Sequence, residues 1–414
     1  MSQKNITHAI LLVVAFSFLL LPAQFVAAEE LAEEQKFSPD VMPWDLGSLY
    51  QVPDAEWGDS ESGVSQVYYA NEPLEGNPTR VFAWYAKPEG EGPFPAMVLV
   101  HGGGGTAFRE WAELWAARGY CAIAMDLAGC GPDRIKLSDG GPNQDDGGKF
   151  APFDETDFRK MWTYHAIAAV LRGHSLLASR PEVDAESIGI TGISWGGYLT
   201  CIATGIDDRL KVSVPVYGCG FLNDESVWQP TFAKMSPLNR ELWLKYFDPQ
   251  QYVGGVQCPI LFVNGTDDFA YPLSSHRKTW AAVPEMADRR LQVHMPHGHQ
   301  AGWAPQEIGL YVDSVLKDGR PLPRLGRLAV EDGVASARIE NETSVESASL
   351  HWTTEPGGYI EGRWQVRAWE TSEAVFDEDR VTVELPETRP LAFYLSVTDD
   401  RGASTSTHYL MLDE

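Results

Sequence analysis

The chain has 414 residues, 44% of them hydrophobic, which suffices for a large core and for two domains. Acidic residues outnumber basic ones 58 to 32, a formal net charge of −26, and this excludes nucleic acid and anionic membrane surfaces as natural partners. Five cysteines, Cys121, Cys130, Cys201, Cys219 and Cys258, include no C-x-x-C pair; Cys121 and Cys258 sit in or beside apolar runs and read as small buried side chains, while a disulfide among the other three stays open.

Residues 1–28 combine Lys4, an apolar run over 10–21 and the small-residue end Val26-Ala27-Ala28. That pattern is a signal peptide, so the mature chain is expected in the periplasm or outside the cell. The run is too short to span a bilayer, and no membrane contact is expected after cleavage. Residues 29–64 are polar, with Pro39, Pro43 and Pro53, and read as a wrapping arm with little regular structure.

From residue 65 elements follow quickly. Segments 65–70 and 80–86 read as a hairpin around Asn77-Pro78, and the unbroken apolar run 95–100 suits a parallel strand buried on both faces. It ends in His101-Gly102-Gly103-Gly104-Gly105. Helices are expected over 108–118, 158–177, 197–205, 274–282 and 305–316, alternating with strands over 120–125, 187–190, 212–216, 259–263 and 291–295. Such alternation implies an α/β domain over 65–322, a doubly wound and mostly parallel sheet covered on both faces. Two long connections, 126–153 and 218–257, lie beyond the carboxyl ends of the strands, where open α/β sheets bind ligands. Trp228, Phe232 and Trp243 in the second are candidate substrate walls, with a helical cap packing its own core as the alternative. The acidic first connection lacks EF-hand spacing; no metal site and no cofactor are read.

Within this domain a short apolar strand, 188–190, runs into Gly192-Ile193-Ser194-Trp195-Gly196 and then a helix. A G-x-S-x-G pentapeptide between strand and helix lifts the serine above the sheet edge on a sharp turn, with the helix N-terminus facing it. Ser194 is therefore the candidate nucleophile.

From 323 to 414 the helical period disappears. Seven segments, 327–331, 334–339, 347–353, 364–369, 380–385, 391–398 and 404–412, alternate apolar with polar residues between turns such as Glu355-Pro356-Gly357-Gly358. They predict an all-β sandwich without catalytic residues, packed against a catalytic unit that is complete before it.

The strand–GISWG–helix context, with the order of elements around it, resembles the α/β-hydrolase superfamily over about residues 65–318, and the sandwich resembles immunoglobulin-like or fibronectin-like accessory domains. The superfamily orders its triad Ser, then Asp or Glu, then His. Asn264-Gly265-Thr266-Asp267-Asp268-Phe269-Ala270-Tyr271-Pro272 is similar to its G-x-x-D-x-x-x-P loop, which implies Asp268 as the acid, with Asp267 the competitor. Gly298-His299 resembles its Gly-His pair and implies His299 as the base, ahead of His297; His294 is expected inside the last strand. The oxyanion hole would combine the Trp195 backbone N–H with Gly103 or Gly104. Among the branches, the chain resembles acetyl xylan esterases, dienelactone hydrolases and prolyl oligopeptidase-like enzymes. It departs from the first in having Ser194-Trp195-Gly196 for Ser-Gln-Gly, His299-Gln300 for His-Glu and no Arg-Gly-Gln. The reading is a secreted serine hydrolase of carboxylic esters, such as acetyl groups on a saccharide, acting on a small ester or acylated saccharide. A serine exopeptidase or aminopeptidase is the alternative, and the oligomeric state is left open.

Overall fold

The structure is a computed structural model that describes residues 42–412 except 285–286, 342, 356–358, 361–362, 365–366 and 390. The expected signal peptide lies outside the described residues. Nine strands form the main sheet: β1 (Ala55–Glu61), β2 (Val64–Leu74), β3 (Asn77–Ala86), β4 (Phe94–Val100), β5 (Cys121–Met125), β6 (Val183–Ile193), β7 (Val212–Val216), β8 (Ile260–Gly265) and β9 (Ala287–Gln292). Their order is β1-β2-β3-β5-β4-β6-β7-β8-β9. The first three are antiparallel, and β5 to β9 run parallel to one another. Central strands are apolar because helices cover both faces: β5, β7 and β8 are buried at every position. Helix Trp162–Ala178, also almost wholly buried, packs across them.

The expected hairpin is β2–β3, in the register Ser65 to Tyr85 and Val67 to Ala83. The arm is more regular than its composition suggests. Trp44 sends its indole N–H to the Tyr164 carbonyl at 3.0 Å, and β1 forms the sheet's outer strand. β1 escapes a hydrophobic pattern because it is an edge, polar and mostly exposed. At the other edge β9 reads Ala-Asp-Arg-Arg-Leu-Gln, with alternate residues buried. It ends at Gln292, three residues before the expected end, so His294 lies outside it.

C-terminal to Leu316 the described elements are strands. One antiparallel sheet contains Ala329–Glu331, Val334–Arg338, Val375–Phe376 and Arg380–Glu384; another contains Val345–Thr353, Glu370–Glu373, Leu391–Asp399, Ser404–Ser406 and Leu410–Leu412. Ala335, Ala337 and Val381 of the first share a core with Leu350, Phe393, Leu395 and Val397 of the second. The expected strand 364–369 is instead a short pair, Tyr359–Ile360 with Arg363–Trp364, before Glu370–Glu373. All five cysteines are free, and Cys121 and Cys258 are buried as expected. Among the described residues no helix is long and apolar enough to cross a membrane.

Candidate functional site

β6 delivers Ser194 at the sheet's carboxyl edge and helix Trp195–Ile206 begins at the next residue. Ser194 sits at φ 60°, ψ −118°, a sparsely populated conformation for a residue with a side chain. Its N–H is tied to Val216 O (2.9 Å) and its carbonyl to Tyr198 N–H (2.9 Å), so neighbouring structure enforces the strain. The turn is tight enough to require glycine on its far side: a Cβ on Gly196 would lie 1.9 Å from Val100 O.

His297, not His299, lies between Ser194 and the acid. Its Nε2 is 2.9 Å from Ser194 Oγ and its Nδ1 is 2.6 Å from Asp268 Oδ2. The Asp268 Oδ1 atom accepts the N–H groups of Ala270 (2.9 Å) and Tyr271 (2.8 Å), which fixes the carboxylate. The imidazole is held in place by Tyr217, stacked at 4.4 Å, whose hydroxyl donates to Pro296 O. The expectation for His299 fails because β9 stops at Gln292. The following loop then carries His297 over the serine, and His299 becomes the first residue of helix His299–Trp303.

His299 remains in the site with a different job. Its Nε2 accepts the Gly102 N–H at 3.0 Å, and burial, with positive groups nearby, pushes its pKa down to about 4. It is thus neutral and anchors the glycine run after β4. His101 anchors the same run from below: its Nε2 accepts Leu127 N–H (2.8 Å) and its Nδ1 meets Gly102 O (2.8 Å). Gly102 packs so close that an added Cβ would lie 2.9 Å from Ser194 Cβ, and one on Gly103 would lie 3.0 Å from Trp195 Cδ1. The N–H of Trp195, at the first turn of its helix, has no intrahelical acceptor. Gly104 sits at φ +65°, with its carbonyl held by Arg134 (2.8 Å).

Asp267 faces the other way from Asp268. Its carboxylate pairs with the half-exposed His294 and accepts the Arg367 backbone N–H (3.2 Å) from the C-terminal region. Of the expected walls, Phe232 and Trp243 are 1% exposed and pack with Phe150 in an aromatic core, so they line no open surface. Trp228 is only partly buried and lies against Trp195 (4.5 Å) and Tyr271 (5.1 Å). The aromatic that does face solvent beside the imidazole is Phe269, 50% exposed and 4.7 Å from the His297 ring. Sequence reasoning passed over it, although its place directly after the acid is a usable signal. Among the described residues no cluster of three or more His, Cys, Asp or Glu side chains could hold a metal ion.

A serine, an imidazole and a carboxylate in this relay can activate the hydroxyl for attack on a carbonyl carbon. Comparison with known proteins agrees with that class. The family model described as "Acetyl xylan esterase (AXE1)" matches residues 51–268, more than half of the chain. The chain is 21% identical over 217 residues to the protein named "Acetyl esterase Axe7A" of Xylanibacter ruminicola, 49% of each. It is 25% identical over 333 residues to "Uncharacterized peptidase YuxL" of Bacillus subtilis, 72% of this chain and 44% of that one. It therefore spans about half the length of the curated relatives it matches. Among solved structures it is similar in fold to an acetyl xylan esterase from Paenibacillus sp. R4, with a TM-score of 0.53 at 20% identity over 66% of this chain and 92% of that one. That α/β-hydrolase fold is the expected one.

Proposed function

Because the chain belongs to the acetyl xylan esterase family, we propose that it hydrolyses carboxylic esters, and acetyl esters of a saccharide in particular, through an acyl-enzyme on Ser194. The observation that carries the reading is the unbroken relay from Ser194 Oγ through His297 to Asp268 at a strained strand-to-helix turn.

Ser194 Oγ attacks the ester carbonyl while His297 Nε2 takes its proton. Asp268 holds the Nδ1–H tautomer and stabilises the imidazolium that forms. The carbonyl oxygen becomes an oxyanion, accepted by the N–H groups of Trp195 and Gly103, each worth about 3–4 kcal/mol at the transition state. Collapse of the intermediate breaks the bond to the alcohol, which leaves with the proton from His297. Water then attacks the acyl-enzyme, gives its proton to His297, and returns free acid and Ser194. Since His297 protonates the departing alcohol, that group sits beside it, against exposed Phe269, a flat apolar face suited to a sugar ring.

The peptidase alternative has one observation in its favour, the likeness to a protein named a peptidase. Export through the 1–28 segment and an immunoglobulin-like arrangement of the C-terminal sheets belong to the same proposal. The test is turnover of p-nitrophenyl acetate, acetylated xylan and aminoacyl-p-nitroanilides by the wild type, Ser194→Ala and His297→Ala. Ester turnover is expected to fall roughly 10⁴- to 10⁶-fold in both variants. Aminoacyl-anilide cleavage faster than ester cleavage would replace the reading by the peptidase one.

A further inference from the structure

Behind the acid loop, where helix Leu273–Ala281 and β9 meet the C-terminal sheets, lies a small, half-open cleft of about 20 Å3. Its surface is almost wholly apolar, from Trp280, Tyr409, Leu273 and Leu291, and directly behind it lie four cationic or imidazole side chains, Arg277, Arg289, His276 and His408. Arg289 is only 7% exposed and lies 3.7 Å from the Trp280 ring centroid. Its Nε and Nη1 have no acceptor, and Nη2 reaches only the Leu325 carbonyl at 3.5 Å. Arg277 stacks on Tyr409 at 5.5 Å, and its Nε is likewise buried without an acceptor. His276, 3% exposed, leaves Nε2 unpartnered, and His408, stacked on Trp280 at 5.4 Å, leaves Nδ1 unpartnered.

Among the described residues neither Arg277 nor Arg289 forms an ion pair, although neighbouring arginines do. Arg290 pairs with Glu307 at 2.9 Å, and Arg324 takes Asp288 (3.3 Å) and Glu340 (3.6 Å), the carboxylates whose charge reaches Arg289. A nearly buried guanidinium without an ion-pair contact is costly, the more so beside other arginines. An anion entering the cleft removes that cost. Guanidinium presents its N–H groups as a planar fork that matches carboxylate, sulfate and phosphate oxygens. Burial holds His276 at about 4 and His408 at about 3, so both rings are neutral near pH 7 and each offers one N–H and one acceptor.

We propose that this cleft between the two units is a binding site for a small oxyanion, with Arg289 and Arg277 as its counter-charges, His276 and His408 as hydrogen-bond partners, and the rest of the ligand against Trp280 and Tyr409. The site is separate from Ser194 and does not depend on the ester-hydrolase reading.

Calorimetric titration and thermal unfolding of the full chain test it with three probes: glucuronate, sulfate and phosphate. Glucose and chloride at matched ionic strength are the controls. At least one oxyanion is expected to bind saturably at 1:1 and to raise Tm with concentration, as a ligand of the folded state must. Arg277→Gln, at a partly exposed position, should weaken that binding at least tenfold, with an unchanged ligand-free Tm as the check that the fold is intact. Arg289→Lys, which keeps the charge and loses the fork, should weaken it too. The best probe names the source: glucuronate an organic acid, sulfate or phosphate an inorganic ion or ester. The proposal is overturned if none of the three binds saturably, or if Arg277→Gln responds as the wild type does.

Discussion

Two histidines two residues apart have divided the work of the proposed site between them. Ser194 was legible because its neighbours are diagnostic: an apolar strand, flanking glycines and a helix all within a dozen residues. Asp268 was legible because Gly265 and Pro272 bracket it. The histidine was not, because its position depends on where β9 stops, and a strand written Asp288-Arg289-Arg290 hides its own end. Arg289 is buried towards the C-terminal region, its Nη2 reaching the Leu325 carbonyl, which local sequence does not announce. What distinguishes His299 is the hydrogen bond from Gly102. His299→Ala leaves that backbone donor unsatisfied, at a cost of about 1–3 kcal/mol. If the cost falls on the oxyanion loop, kcat on p-nitrophenyl acetate drops roughly 5- to 150-fold, far less than for His297→Ala. A His299→Ala enzyme as inert as His297→Ala would return His299 to the relay.

At the scale of elements, helices and buried strands followed their periodicity, and edges did not. β1 and β9 are the outer strands, and each is polar because it is only half covered. β9 has its own cover: strand Ser404–Ser406 lies along it, and Ser406 Oγ accepts the Leu291 N–H at 3.0 Å. Leu273, Leu291, Trp369 and Tyr394 form a small shared core at the same seam. A chain ended near Arg324 contains every residue of the relay, and sequence alone expects it to remain active. The structure changes that expectation. Truncation bares an edge strand and apolar side chains, a recipe for self-association. It also removes the Arg367 N–H from Asp267. The truncated chain is expected to melt lower and aggregate, with p-nitrophenyl acetate turnover falling alongside. Full turnover and an unchanged Tm would show that the seam contributes neither stability nor order.

For the molecule as a whole, burial sets the response to acid. His101, His165, His276, His299 and His351 are pushed down to about 4, and His408 to about 3, against about 6.5 when unfolded. Between pH 6.5 and 4 the unfolded chain takes up protons that the folded chain refuses, so stability falls as pH falls. Asp126 and Asp248, pushed up to about 6 by burial, act oppositely in that window, because there the folded state binds more protons. Asp288, also raised by burial, acts with them, and six histidines outweigh these three carboxyls. Tm measured by circular dichroism should therefore decline from pH 6.5 to 4, and a flat profile would contradict this.

The paired acids Asp267 and Asp268 carry a consequence for heat as well. One faces the chemistry and the other grips a neighbouring unit, and a single peptide bond joins them. The large sheet and the small seam are thus joined in series, so warming that opens only the seam is expected to disturb Asp268 while the central strands stay intact. On the proposed function, loss of p-nitrophenyl acetate turnover on heating is therefore expected at a lower temperature than the melting of the central sheet followed by circular dichroism, and coincidence of the two would contradict this.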